Sequence, residues 1–361
     1  MFTAALVIAI LVFLIVVHEL GHFIAAKIFG VKVTEFGVGY PPRAFTFGRI
    51  GETEYTLNWI PFGGFVRLFG EDEGAQHGQG SFIDSPRWKQ AVILLAGVAM
   101  NAIAAWALFT GAYTTGILHI TPEPGPGVQL MVTDIVDGSP AYVAGIQAGN
   151  EIVSLVDAKT STQATLTPEG ITEFVSERAG RELEITYTHA GTTTTTILRP
   201  AHAVIEEEAG RPAIGIGLAL VTSESLPLGD AAVAAYARTK ATFSAVGAGL
   251  WSLASDAARG EPNLKEVVGP VGLVSVVGEA SENGWGYVLS LAAFISVNLT
   301  IINLIPIPAL DGGRLVLVAI ESVMRRQAPK LAVQILNTIG IAFVILLMVT
   351  VTYNDIVRLF A

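Results

Sequence analysis

The sequence predicts an α-helical polytopic membrane protein of four transmembrane helices. A small membrane-associated β-loop follows the first helix on the cytoplasmic side, and a β-rich domain is inserted between the second and third. Three observations predict this. Of 361 residues, 52% are hydrophobic and only 14% charged, with a mean hydropathy of +0.57, too apolar for an ordinary soluble chain. Four apolar runs reach spanning length. Charge is also segregated: residues 120–285 carry 20 acidic and 9 basic side chains, against 11 and 12 in the rest. The net charge of −10 excludes the basic footprint of a nucleic-acid binder. The chain has no cysteine, so a metal would have to be held by His, Asp, Glu, Asn or backbone.

The first span occupies residues 1–29. Met1 to Val17 carries no charge, and the helix continues through Ile28, long enough to cross with tilt. No basic residue precedes Lys27 and no cleavage site follows, which predicts a retained span rather than a removed signal peptide. Residues 30–88 form the β-loop region. Its stretch VTEFGVGYPPRAFTFGRIGETEYTLNWIPFGGFVRLFGED is aromatic and β-branched, punctuated by Gly and Pro, and reads as two or three short strands. Such a sheet offers an edge to which extended polypeptide could add as a strand, or it is a packed plug; the sequence leaves both open.

The second span is placed at 89–120, the inserted β-rich domain at 124–202, and an outer connecting region at 203–285. The third span and the Pro-rich segment after it take 286–313, and the fourth span 331–355. Lys/Arg counting sets the orientation. Seven basic residues lie between Lys27 and Lys89, and Arg314, Arg325, Arg326 and Lys330 lie between the last two spans, so both loops are expected in the cytoplasm. The acidic insert then faces outward. Within it, VQLMVTDIVDGSPAYVAGIQAGNEIVSLVDAKT resembles the PDZ pattern of a strand, a Ser-Pro-Ala helix start and a Gly-turn before the next strand, with Asn150 where Asp is usual. A PDZ module would bind peptide termini or merely screen out bulky ectodomains.

One feature of the first span conflicts with its apolar setting. His18-Glu19-Leu20-Gly21-His22 is H-E-x-x-H, and unpaired imidazoles and a carboxylate are costly at membrane depth. The i, i+4 spacing places both imidazoles on one helical face, where they could hold one Zn²⁺, with Glu19 outside the ligand pair and free to act on the metal's water. A third ligand is needed. His77, His119, His189 and His202 fall in loops, at the far end of a span or in the insert, so the best candidate is Asp311 in NLTIINLIPIPALDGGRL. Pro306 and Pro308 stop the preceding helix, and Gly312 and Gly313 permit a sharp turn and close backbone approach. Asn298 and Asn303 precede it by one turn and more. Irregular backbone at membrane depth is tolerated only when buried in protein or lining a cavity.

These motifs together resemble the site-2 protease family. The carriers of the resemblance are H-E-x-x-H in the first span, Gly97 and Asn101 in the second, and N-x-x-P-x-P-x-L-D-G-G from Asn303 to Gly313. The single PDZ-like insert and PFGGFVRLFGED from Pro61 are similar to the bacterial regulator-of-sigma-E branch. The resemblance implies an intramembrane zinc endopeptidase of the bacterial inner membrane with one Zn²⁺ per chain, acting on transmembrane protein substrates from a site toward the cytoplasm. His18, His22 and Asp311 match the family's ligands, Glu19 its general base, and Asn303 its substrate- or oxyanion-holding asparagine. Gly37, Val38 and Gly39 fall in the family's substrate-binding β-loop, and Asp230 to Arg259 is similar to its outer amphipathic helix. Gly97-Val98 departs from the family's Gly-Pro, so Asn101 is expected to be an interhelical structural partner. A membrane transporter, or a PDZ scaffold with a structural metal, remains the alternative at this point.

Overall fold

The computed structural model describes residues 2–71, 77–189, 192–202, 211–260 and 268–360. Parts of the expected connecting region, 203–210 and 261–267, lie outside the described residues. The chain divides into two units: Met1–Thr115 with Leu226–Ala361, and Gly116–Ser225.

In the first unit, four helices among the described residues are long and apolar enough to cross a membrane: Phe2–Ile28, Arg87–Thr114, Trp285–Leu304 and Leu331–Val357. The corresponding elements are α1 (Phe2–Ile28), α2 (Arg87–Thr114), α7 (Trp285–Leu304) and α9 (Lys330–Phe360). The second span therefore ends six residues earlier than expected. Thr115 caps it, and Gly116 follows with φ +81°, a left-handed conformation that glycine adopts without steric cost. Helices α1 and α2 approach closely because small residues meet there. A Cβ on Gly21 would overlap the backbone of Ala96, and one on Gly97 would overlap the His22 ring.

The loop after α1 is not a set of short strands but one long hairpin, β1 (Val33–Ile50) and β2 (Thr53–Leu68). It folds back on itself. Phe36, Gly37 and Val38 pair with Val66, Phe65 and Gly64, and also lie beside Tyr55, Thr56 and Leu57. A buried carboxylate, Glu35, pins the fold: it accepts from Thr56 (2.8 Å), Arg43 (3.0 Å) and Arg67 (2.7 Å). Being hydrogen-bonded and paired, this charge escapes the penalty of an isolated buried ion.

Three further helices belong to this unit. The expected amphipathic helix is α5 (Leu228–Arg259), burying Ala231, Ala235, Thr239 and Thr242 and leaving Tyr236 and Trp251 exposed. Two of them are not apparent from the sequence: α6 (Pro270–Glu282), whose Gly-containing apolar stretch has no strong period, and α8 (Asp311–Met324), which begins at the Asp-Gly-Gly expected to form a turn. Helix α6 is capped from far away: the Asp355 carboxylate on α9 accepts from Gly269 N (3.1 Å) and Gly272 N (2.8 Å).

The second unit is a sheet whose described strands run in the order β3-β8-β4-β5-β6-β7. These are β3 (His119–Ile120), β4 (Gln129–Ile135), β5 (Glu151–Asp157), β6 (Leu183–His189), β7 (Thr192–Leu198) and β8 (Ile216–Thr222). Two short helices cover it, α3 (Pro140–Val143) and α4 (Pro168–Ser176), started by Ser139 and Thr167, whose hydroxyls accept from Tyr142 N and Gly170 N. Leu130, Ile146, Leu155, Ile171, Leu183, Ile185 and Leu220 are among its buried core. The expected limits of 124–202 are too narrow at both ends. Residues 119–120, assigned to the second span, form β3, and 216–222, assigned to a connector, form a strand between β3 and β4, with Leu130 opposite Leu220 and Val132 opposite Leu218.

Candidate metal centre

Three side chains from two distant places converge in the first unit. His18 and His22 lie one turn apart on α1, and Asp311 is the first residue of α8. His18 Nε2 is 2.9 Å from Asp311 Oδ2, His22 Nε2 is 3.2 Å from the same oxygen, and the two nitrogens are 3.2 Å apart. All three residues are buried or nearly so. Asp311 Oδ2 receives no well-aligned hydrogen bond. Three electron-pair donors held this close could share a cation between them. Tetrahedral zinc with N and O ligands at about 2.0–2.1 Å sets its ligand atoms about 3.3 Å apart, so this donor set fits that ion.

Local backbone explains how Asp311 arrives. Helix α7 ends at Leu304. Ile307 N then bonds to Ile305 O (2.7 Å) and Leu310 N to Ile307 O (3.1 Å), forming a tight connection through Pro306 and Pro308 in which Ala309 has φ +78°. Gly312 and Gly313 do not make the turn; they form the first turn of α8. Their role is proximity, since a Cβ on either would overlap the carbonyls of Leu304, Ile305 or Ile307. Helix α8 is further tied by an Arg314–Glu71 ion pair and by Arg87–Glu321 (3.0 Å). Nothing in the sequence pointed to those partners.

Glu19 is half-buried, within electrostatic reach of His22, His18 and Asp311. Gly64 of β2 lies against it: a Cβ there would be 3.5 Å from Glu19 Cγ. Helix α2 supports both imidazoles from behind. Ile93 O accepts from His22 Nδ1 (2.8 Å), and the Asn101 amide faces His18 Nδ1 (3.2 Å) while Ser296 Oγ donates to Asn101 O (2.8 Å). Ile93 and Ser296 were missed; the only sequence signal was a small polar residue in an apolar span.

Other expected residues fall differently. Gly37, Val38 and Gly39 are not on a free edge: Gly37 and Val38 have strand neighbours on both sides, and a Cβ on Gly39 would meet Ile60 O. Segment 64–67 has strand partners on one side only among the described residues. The Asn298 amide bonds back to Phe294 O (2.9 Å) within its own helix. Asn303 is half-buried on the last turn of α7.

A metal-binding H-E-x-x-H with a carboxylate, set in a helical unit of spanning length, defines a membrane metallopeptidase. The chain belongs to peptidase family M50, the site-2 proteases, whose model matches residues 6–347. It is similar to a Clostridium perfringens protein provisionally named a zinc metalloprotease, 32% identical over 346 residues and 95% of each chain. It is also similar to zinc metalloprotease RasP of Oceanobacillus iheyensis, 29% identical over 429 residues, covering 96% of this chain and 97% of that one. The PDZ domain of an SdrC-like protein from Listeria monocytogenes aligns with 27% of this chain and 93% of that domain, at 19% identity and a TM-score of 0.21. The protein is thus a zinc-dependent metalloendopeptidase, which removes the transporter and scaffold alternatives.

Proposed function

We propose that this chain cuts peptide bonds within the transmembrane segments of other membrane proteins, using one zinc ion held by His18, His22 and Asp311 and Glu19 as general base. The observation that carries this reading is the convergence of three donor atoms to 2.9–3.2 Å from positions nearly three hundred residues apart. Zinc bound there would acidify its water toward a pKa of about 7 and polarise the scissile carbonyl. Glu19 takes a proton on its carboxylate and returns it to the departing amide nitrogen. A helical substrate has its carbonyls engaged in its own hydrogen bonds, so the bond to be cut must first unwind. The one-sided strand segment 64–67, which begins against Glu19, offers backbone partners to such an extended stretch. Asn303 supplies a side-chain amide near the end of α7 for the same strand, and Pro306 and Pro308 keep the connection before Asp311 non-helical.

The Lys/Arg-rich loops support a site toward the cytoplasm of a bacterial inner membrane and an outward-facing insert. That insert acts as a PDZ-like module that binds or screens substrate ectodomains. Its support is the strand, Ser139-initiated helix, turn and strand order that the sequence pattern requires. The substrate class is that of regulated intramembrane proteolysis, such as an anti-sigma factor or a remnant signal peptide. In a bilayer assay with a single-span reporter, Glu19→Gln is expected to retain zinc and lose cleavage. Retained proteolysis in that variant would sink the mechanism.

A further inference from the structure

We propose that the Asn101 side-chain amide is the acceptor that fixes the tautomer of His18, making Asn101 a positioning residue for the metal. This rests on the ligand reading above. His22 shows the rule. Its Nδ1 faces the carbonyl of Ile93 at 2.8 Å, and a carbonyl only accepts, so Nδ1 carries the proton and Nε2 presents a lone pair toward Asp311. His18 turns its Nε2 to the same place, 2.9 Å from Asp311 Oδ2. As a neutral ligand through Nε2 it must carry its proton on Nδ1, and that N–H needs an acceptor.

The group opposite Nδ1 is Asn101, with Nδ2 at 3.2 Å. Two N–H groups do not bond, yet the acceptor is at hand: Asn101 Oδ1 is buried and has no hydrogen-bond partner among the described residues. A half-turn of the amide barely changes its shape. It brings Oδ1 against Nδ1–H and satisfies both groups. Asn101 is 1% exposed, so water does not compete for the place. The Ser296 hydroxyl, bonded to Asn101 O, holds this turn of α2 against α7. One helix thereby sets both imidazoles, through a backbone carbonyl at 93 and a side-chain carbonyl at 101.

The test uses the full-length chain in detergent, with zinc affinity measured by chelator competition and the His18 tautomer read from imidazole ¹⁵N shifts of the zinc-loaded protein. Asn101→Leu keeps the shape without an acceptor and is expected to weaken zinc roughly 10–100-fold. Asn101→Asp restores an acceptor and is expected to stay within about threefold of wild type, with His18 protonated on Nδ1 in both. Unchanged zinc affinity in Asn101→Leu overturns the proposal. So does an Asp variant that folds, by circular dichroism, but binds as weakly as Leu. Wild type and His18→Ala binding zinc equally would instead overturn the ligand assignment beneath it.

Discussion

The two units bury polar side chains of the same kinds for different ends. In the 116–225 unit, buried Asp157 is fully enclosed and accepts from Lys159 N and Arg181, and buried Asn150 accepts from Gln147 N while its amide meets His189. Those backbone partners lie two or three residues away, and each side chain closes a turn. In the membrane unit, His22, His18 and Asp311 find partners 71, 83 and nearly three hundred residues away. Their remaining atoms face one another rather than a hydrogen. Local closure marks a structural polar group; distant convergence with donor atoms left facing inward marks a ligand site.

The largest effect should come from breaking the convergence itself. His22→Ala is expected to drop bound zinc to background, by metal analysis, and to cut proteolysis on the order of a thousandfold or more. The matching change in the other unit, Leu155→Ala, is expected to cost about 2–5 kcal/mol, seen as faster hydrogen exchange across β4–β7, with zinc content unaffected. Loss of zinc in that variant would erase the contrast. Gly97→Ala tests how tightly α1 and α2 pack at the site. Its methyl meets the His22 ring, and overpacking of about 1–3 kcal/mol is expected, divided between lower thermal stability and weaker zinc binding. The smallest effect is confined to acid. The Lys159 amide, and then Arg181, hold the Asp157 carboxyl below the usual carboxylate range despite its burial. The resulting stabilisation is complete above the unfolded value of about 3.9 and is lost as pH falls through the lower folded one. In Asp157→Asn, exchange in residues 151–189 should vary less with pH over that window; an unchanged profile would argue against the assignment.

The convergence of the candidate ligands was legible because chemistry and setting disagreed. His18, Glu19 and His22 stand out in an apolar helix, and Asp311 stands out behind two prolines. The four spans were equally plain in number and position, since length and hydropathy mark them, though the end of the second was not. What stayed hidden depends on tertiary neighbours. Gly37 to Gly39 look like an open edge in sequence, but the hairpin's fold-back gives them partners on both sides. Strand β8 reads as part of a connector because its pairing with β4 joins residues about ninety apart. Helix α8 was masked by Gly312 and Gly313, which weaken helix propensity yet are required by contact with the end of α7.

The cap on α6 has a consequence for biosynthesis. Its first amides are satisfied by Asp355, more than eighty residues further along, and the cluster of His18 and His22 likewise waits for Asp311. A ribosome has therefore delivered most of the chain before either can close. The last helix thus completes the membrane unit: until α9 is in place, the amides that start α6 lack the carboxylate that accepts from them.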